Sequence, residues 1–468
     1  MNRTYTANTA SLAGKKVKIA GWVDTRRNHG KIVFLDLRDK EGILQVVFTP
    51  TAKKAYAEVD PVRPEWVVEI EGTIQERPEN MQNKDISTGK VEMEASNLTV
   101  LAESEPPPFP IDTDGYEIEE EVRLKYRYVD LRRPRLQRNL KVRSDYLKAA
   151  REYLFEQGFT EVETPLLTKS TPEGSRDFVV PSRIYPGKFF ALPQSPQQYK
   201  QLLMASGVEK YFQVAKALRD EDPRADRAYE HSQIDLEMSF VEQQDVMNLV
   251  ENMTIHAIEA VGGTIAKKPF PVIPYEQAMK KYGDDKFDMR TEKEKKDGVL
   301  SFAWVTQFPL FEKTDEGAWT FSHNPFSSPL DENNEKLLLE GKNIGKILSS
   351  QYDLVCNGLE VSGGSIRTYK PEVLQAVFKT MGYNDKQIEQ GFGHMLQAFQ
   401  LGTPPHGGCA QGFERLLMAF LNEEYIREIQ AFPQTGQGRT SVVEAPEELS
   451  KEQLKELGLS ISKPTKKK

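Results

Sequence analysis

Three parts of this 468-residue chain combine residue types that can handle anions and hard cations. Gly407-Gly-Cys-Ala-Gln-Gly-Phe-Glu-Arg415 sets glycines ahead of what reads as a helix start. Glycine lets the backbone approach a nucleotide closely, and a helix N-terminus favours negative charge. Phe212–Glu237 holds the charged runs Arg219-Asp-Glu-Asp222 and Gln233-Ile-Asp-Leu-Glu237. Asp353 and Glu360, seven apart around Asn357-Gly358, offer the hard oxygen ligands that magnesium requires. Each also has a plain structural reading: a glycine-rich join of strand to helix, or a charged hairpin with ordinary cross-strand pairs. Between Glu121 and Arg151 stand eleven Lys/Arg against three acids. That run suits a solvated helix face as well as a nucleic-acid contact.

The elements that must position these residues fall into two parts. Residues 15 to 104 read as five short strands, Lys16–Val23, Lys31–Leu37, Ile43–Phe48 and the alternating stretches around Val68 and Val91. Turn signals such as Glu41-Gly42 and Thr88-Gly89 separate them, and five strands in about ninety residues suit a small closed barrel of OB type. Glu105-Pro-Pro-Pro-Phe-Pro110 cannot join a helix or a central strand and reads as the start of a linker. The basic run is expected to follow it as a hinge over 105–139. From about Leu140 the pattern is α/β, with strands expected at Val355–Val361 and Gly408–Gly412 and helices at Ser144–Gln157, Gln194–Ser206 and Gln411–Leu421. The expected divisions are 1–104, 105–139, 140–446 and an extension over 447–468, whose basic end, Ser462–Lys468, is expected to fray.

Composition narrows the class. With 38% hydrophobic and 28% charged residues the chain is an ordinary globular protein. Two cysteines, Cys356 and Cys409, make neither a disulfide framework nor a thiolate zinc cage. No apolar h-region follows Met1 and no run approaches the roughly 20 residues of a membrane helix, so the expected setting is the cytoplasm. A net charge of -8 argues against a generic polyanion binder while leaving room for local basic patches.

In order, Gly158-Phe-Thr-Glu-Val-Glu-Thr-Pro165, Phe212–Glu237 and Gly407–Arg415 resemble motifs 1, 2 and 3 of the class II aminoacyl-tRNA synthetases. Denser matches point within that class. Arg123-Leu-Lys-Tyr-Arg-Tyr-Val-Asp-Leu-Arg-Arg133, Thr171-Pro-Glu-Gly-Ser-Arg-Asp177, Leu192-Pro-Gln-Ser-Pro-Gln197, Asn357-Gly-Leu-Glu-Val-Ser-Gly-Gly-Ser-Ile-Arg367 and Pro404-Pro-His-Gly-Gly408 resemble the bacterial aspartyl-tRNA synthetases. The resemblance implies an OB-fold anticodon-binding barrel and an α/β catalytic domain built on an antiparallel sheet. It also implies ATP, Mg2+, L-aspartate and tRNA(Asp) as reactants or partners, and a homodimer built on motif 1.

By that resemblance Arg367 clamps the substrate side-chain carboxylate, for which arginine's planar fork is suited, and Lys200 supports it. Asp235, Glu173 and Gln197 hold the ammonium end, and His323 closes over the substrate. Arg219 neutralises the α-phosphate and Arg415 the γ-phosphate. Asp220, Glu221, His231, Glu360, Gly412, Phe413 and Glu414 complete the nucleotide site, with Asp353 and Glu360 as metal ligands. In the barrel Phe34 stacks a base, while Arg27, Gln45 and Glu92 read base edges. His29 resembles enzymes that also accept tRNA(Asn); Asn80 resembles strict ones.

Four departures from the family stand out. Its large insertion between motifs 2 and 3 shrinks to residues 291–299, expected to be a loop. Ala228-Tyr-Glu-His231 replaces the usual Gln-Pro-Glu-Phe, putting a smaller, titratable ring where a Phe stacks adenine. Ser362 stands for a glycine and Asn324 for a second histidine. The rival readings are an asparaginyl or lysyl synthetase, or an inactive tRNA-binding paralogue. A lysine pocket would need acids facing the side chain, and an asparagine pocket is expected to leave Arg367 and Lys200 without a counter-charge. An inactive paralogue would be signalled by loss of Arg219, Glu360 or Arg415, and all three are present.

Overall fold

A computed structural model describes residues 2–170 and 174–462. Glu173 and the last six residues, which include most of the basic tail, lie outside the described residues. The chain divides into two units, Met1–Pro110 and Ile111–Lys468.

The first unit is a closed barrel of β1 (Lys16–His29), β2 (Ile32–Asp39), β3 (Gly42–Phe48), β4 (Val67–Glu76) and β5 (Val91–Ala102), ordered β1-β2-β3-β5-β4. A short helix, α1 (Lys53–Glu58), lies between β3 and β4. Alternation builds it: Val33, Leu35 and Leu37 of β2 are buried, while Phe34, Asp36 and Arg38 between them are part-exposed. β1 runs six residues past its expected end. Its last stretch, Arg26-Arg-Asn-His29, pairs with β2 but is largely exposed, so no apolar alternation marked it.

The second unit begins with α2 (Glu120–Lys125), α3 (Arg127–Asp130) and α4 (Pro134–Glu156). The expected hinge is therefore part of a folded unit, and α4 starts ten residues before its expected start. The basic run divides: Lys125, Arg138, Lys141 and Lys148 are exposed, as a solvated helix face requires, while other members of it turn inward. Arg123, Arg127 and Arg133 are buried and converge on the carboxylate of Asp130, from Arg123 Nε at 3.2 Å, Arg127 Nη1 at 2.7 Å and Arg133 Nε at 2.7 Å. Glu428, also buried, takes Arg123 at 2.8 Å and Arg135 at 3.0 Å.

After α4 come β6 (Thr160–Glu161), the hairpin β7 (Val179–Pro181) and β8 (Phe189–Ala191), α5 (Gln197–Ala205), β9 (Lys210–Leu218), β10 (Glu230–Ser239) and α6 (Gln243–Ala260). The chain continues through β11 (Val272–Pro274), α7 (Tyr275–Tyr282), α8 (Glu292–Lys296), β12 (Phe302–Thr306), the hairpin β13 (Phe311–Lys313) and β14 (Trp319–Phe321), and α9 (Glu332–Leu339). It ends with β15 (Gln351–Cys356), β16 (Leu359–Ile366), α10 (Pro371–Thr380), α11 (Asp385–Gln400), β17 (His406–Gln411), α12 (Phe413–Leu421) and α13 (Lys451–Leu457). The stretch expected to be a loop at 291–299 carries α8, one short helix capped by Thr291 and Glu294. The strand expected at Val355–Val361 is a hairpin instead, because Asn357 and Gly358 take φ of +52° and +88°, the conformation that reverses a chain in two residues.

The main sheet is ordered β11-β12-β15-β16-β17-β10-β9-β6, antiparallel except for the two edge pairings. Helices α4, α6 and α12 cover one face. On β10, Ile234, Leu236 and Met238 pack into that core, so Gln233, Asp235 and Glu237 point from the opposite face.

Asp130 is held below the usual carboxylate range: burial alone would raise it, and the arginines outweigh burial. A depressed carboxylate contributes stability that is fully present above its unfolded value near 4 and is lost as pH falls through its folded value. Asp130→Asn is expected to destabilise the chain by about 3–5 kcal/mol at neutral pH, since it strands buried arginines. It should also flatten the acid limb of stability, and thermal unfolding across pH 3–7 checks both.

Candidate active site

The face of the sheet opposite the helices opens into a cleft of about 520 Å³. It collects Gln197, Lys200, Arg219, Glu221, His231, Asp235, His323, Glu360, Arg367, Gly412, Glu414 and Arg415, so residues spread over more than 200 positions of sequence meet there.

At its wall lies a buried quartet of charges. Lys200 Nζ is 2.8 Å from Asp235 and 3.2 Å from Glu237; Arg367 Nε donates to Glu237 at 3.0 Å. All four side chains are at most 3% exposed. Burial raises Asp235, and Lys200 only partly offsets this. Burial would raise Glu237 as well, but Arg367 and Lys200 together pull it below its ordinary value. The Arg367 guanidinium also donates to Ser365 Oγ at 2.8 Å and to the Gly408 carbonyl at 3.2 Å. Asp235 Oδ1 is buried and has no hydrogen-bond partner among the described residues.

Glu237 was not singled out in the sequence, although the period-two run Gln233, Asp235, Glu237 marks it as facing the same way as Asp235. It corrects the expectation about counter-charge: Arg367 and Lys200 are neutralised without any substrate. It also explains Gly408, where a Cβ would lie 2.0 Å from Glu237 Oε2 and 2.2 Å from the Leu236 carbonyl.

The cationic side of the cleft is built on β9, β10 and α12. Arg219 follows β9 directly, its N–H bonded to the Tyr229 carbonyl at 2.8 Å and its Nε to the Gln194 carbonyl at 3.3 Å. Arg415, in the first turn of α12, donates to the Glu360 carbonyl at 2.8 Å and pairs with Asp226 at 3.3 Å. Glu221 pairs with Arg227 at 2.7 Å and accepts from Ser175. His231 lies between these cations. Burial, then Arg219 and Arg415, push its ring down to about 3, so it is neutral at physiological pH. The titratability expected of it is thereby suppressed. Asp220 is engaged with Arg176 and does not line the cleft. Phe413 is a correction: it is fully buried, stacks on Tyr146 and does not line the cleft. Glu414 lines the cleft but is buried and paired with Arg143 at 2.7 Å.

Asp353 and Glu360 approach each other across the β15–β16 hairpin. A Cβ on Gly363 would lie 3.1 Å from Asp353 Oδ1 and 3.5 Å from Glu360 Oε1, so glycine keeps a cradle between two hard oxygen donors. Such a donor set fits magnesium, which takes one or two carboxylates and completes its shell with phosphate and water. His323 Nε2 sits 3.0 Å from Asp353; burial opposes its charge, but Asp353 outweighs burial and raises it to about 9. Asp285 joins these two in a group whose ligand atoms lie within 4.8 Å. Lys286, also missed in the sequence, lines the cleft with Nζ 3.3 Å from Glu360. Ser362 turns its hydroxyl to Cys409 Sγ at 2.8 Å, and Asn324 bonds the Phe326 N–H at 3.0 Å.

On the barrel, Phe34 is part-exposed on the outer surface, opposite Arg27 in register, and is not barrel core. Arg27 pairs with Asp36 at 2.6 Å and reaches Gln45 at 3.5 Å, and Gln45 Nε2 donates to Glu92 at 2.8 Å. Three of the expected readers thus form one polar cluster. Arg77, 3.6 Å from Glu92, extends it. His29 stands exposed at the β1–β2 tip and Asn80 exposed between β4 and β5.

The fold and the site define a class II aminoacyl-tRNA synthetase with an OB-fold module. Residues 119–436 match the family described as tRNA synthetases class II (D, K and N), and residues 17–101 match the OB-fold nucleic acid binding domain. The chain is 38% identical to the aspartate–tRNA(Asp/Asn) ligase of Rubrobacter xylanophilus, over 99% of this chain and 97% of that protein. It is 36% identical to the aspartate–tRNA ligase of Staphylococcus haemolyticus, over 97% and 98%. Among solved structures it resembles the asparaginyl-tRNA synthetase of Pyrococcus horikoshii, at 24% identity, with a TM-score of 0.74 over 93% of this chain and 98% of that one, a likeness of fold. The chain belongs to the aspartate–tRNA ligase family, and its activity is the ATP-dependent formation of aminoacyl-tRNA. The Rubrobacter alignment spans 588 positions against 468 residues here, so relatives carry well over a hundred positions with no counterpart in this chain. No helix among the described residues is long and apolar enough to cross a membrane.

A flat, neutral ring ringed by cations can stack on a base. His231→Ala is expected to weaken ATP binding by about tenfold, the scale of one lost base–aromatic stack, and His231→Phe to retain it. Calorimetric titration with ATP checks both variants.

Proposed function

We propose that this cleft activates L-aspartate with ATP and passes the aspartyl group to tRNA. The observation that carries the reading is the quartet: an Asp235 oxygen with no partner among the described residues, suited to an ammonium, beside Arg367 and Lys200, suited to a carboxylate. The substrate α-carboxylate attacks the α-phosphorus of ATP, forming a C–O–P bond while the bond to the β-phosphate breaks and pyrophosphate leaves. Both reactants are anions and the nucleophile is already ionised, so positioning and charge neutralisation supply the rate and no general base is needed. Arg219 neutralises the α-phosphate, Arg415 the far end of the triphosphate, and His231 stacks the adenine. Asp235 and Gln197 hold the ammonium, with Glu173 assigned the same task by resemblance. His323 closes over the substrate. Asp353 and Glu360 would hold Mg2+, which supplies Lewis-acid neutralisation of the phosphates when bound. A terminal ribose hydroxyl of tRNA then attacks the adenylate carbonyl and AMP leaves.

The exposed side chains Leu166, Leu167, Val179 and Phe189, clustered around motif 1 and the β7–β8 hairpin, support a homodimer through this surface. On the barrel, the Arg27–Gln45–Glu92 cluster and Phe34 support anticodon reading by hydrogen bonds and stacking.

Amino-acid-dependent exchange reads out the substrate side chain directly. Pyrophosphate exchange is expected with aspartate and not with asparagine or lysine. Arg367→Leu is expected to cut the aspartate-dependent rate by about a hundredfold or more while ATP still binds, the loss of a buried charge partner costing about 3–5 kcal/mol. Exchange driven by asparagine, or an Arg367→Leu rate within about threefold of wild type, would overturn the assignment.

The tRNA(Asp) and tRNA(Asn) anticodons differ in one pyrimidine, cytosine against uracil. His29, exposed at the β1–β2 tip and able to donate or accept, supports acceptance of both, in line with the Rubrobacter relative, an aspartate–tRNA(Asp/Asn) ligase. A base-edge bond is worth about 1–3 kcal/mol, so one such group decides the margin. Transcripts of both tRNAs should be charged, and His29→Leu should sharpen the preference for tRNA(Asp). Discrimination beyond about a hundredfold by the unchanged chain would refute dual acceptance.

A further inference from the structure

ATP brings its charge in the polyphosphate, and the cleft must meet that charge with cations that are free to move. Lys200 and Arg367 are not: both are buried and locked to Glu237. Glu360 is a different kind of partner. Its carboxylate meets Lys286 Nζ at 3.3 Å, while its backbone carbonyl accepts from Arg415 Nη1 at 2.8 Å. Two cations from distant segments therefore converge on one residue at the open side of the cleft.

The backbone that carries Lys286 is fixed. Gly283 ends α7 with φ +77°, and the Lys286 N–H bonds Asp284 Oδ1 at 3.0 Å. Phe287 is buried and stacked on Tyr282 with ring centroids 4.1 Å apart. Its carbonyl accepts from the Gly358 N–H at 3.1 Å, tying the loop to the hairpin that bears Glu360. The Lys286 side chain itself is 46% exposed and Glu360 is 30% exposed. A fixed base with a half-exposed, charged tip describes a side chain that can exchange one anion for another. Burial works against its charge, yet Glu360 and Asp285 more than restore it.

We propose that Lys286 is a polyphosphate-binding residue, held on Glu360 in the empty site and transferred to the β- and γ-phosphates when ATP enters beside Arg415. A polyphosphate carries more negative charge than one carboxylate, so the exchange is downhill. The proposal rests on the cleft being the ATP site. It leaves the amino-acid end untouched, because no contact links Lys286 to the quartet among the described residues.

The test compares ligands that differ only in the phosphate tail. Binding of α,β-methylene-ATP and of AMP is titrated against wild type, Lys286→Met and Lys286→Arg in magnesium buffer. Lys286→Met is expected to weaken the triphosphate by about tenfold, leave AMP within about twofold, and be rescued by Lys286→Arg, as for loss of one charge-assisted bond. Unchanged triphosphate affinity in Lys286→Met would overturn the proposal. So would equal weakening of AMP and triphosphate, which is what a purely structural tether for the β15–β16 hairpin would give. Aspartate-dependent exchange by the wild type reports separately on the reaction, so the two readings fail independently.

Discussion

Two cations can remain charged inside this protein only because two carboxylates are folded against them, and the catalytic unit is arranged around that need. Moving isolated ions out of water costs several kcal/mol each, and only close, hydrogen-bonded partners offset it. Lys200 comes from α5, Asp235 and Glu237 from β10, and Arg367 from the residue just beyond β16. Their approach requires β16, β17 and β10 to be neighbours in the sheet, and it requires β17 to have no side chain at Gly408. The strand pairing, the glycine and the helix that delivers Lys200 are thus consequences of one charge-balance condition. The same condition leaves Asp235 Oδ1 buried with no hydrogen-bond partner among the described residues.

A second set of buried charges braces the cationic side of the cleft. Asp130 and Glu428 gather arginines from the segment before and within α4, which fixes the stretch around Ile426–Ile429. That stretch in turn holds the loop between β9 and β10: the Ile426 N–H bonds the Ala225 carbonyl at 2.9 Å, and Arg427 reaches the Arg224 carbonyl at 3.3 Å. Arg427 is itself tied to Glu120 at 2.7 Å. The buried arginines of the basic run thus act by inward pairing and hold backbone in place.

Much of this was legible because local pattern and tertiary role agree. Barrel strands alternate, motif residues lie on the elements their sequence foretold, and twelve of the expected residues line one cleft. What escaped has particular causes. Arg123, Arg127 and Arg133 look like surface residues because composition cannot report that Asp130 and Glu428 will fold against them. The end of β1 is polar because it stands out from the barrel, with no core behind it. Glu237 was hidden in plain alternation, and its partners are 37 residues before and 130 after it. Phe413 was grouped with the nucleotide site because it sits inside the Gly412–Arg415 run, yet the first turn of α12 aims it at Tyr146.

The two cysteines have a practical meaning. Both are buried, burial raises Cys356, and burial lifts Cys409 to about 12 even with the Ser362 hydroxyl beside it. Thiolate is the reactive form, so neither sulfur offers an alkylating reagent a target while the fold is intact. The chain is in effect a blank background for thiol labelling. A single cysteine placed at the β1–β2 tip would carry a fluorophore at one known spot, letting anticodon docking be followed in real time without first removing the native sulfurs.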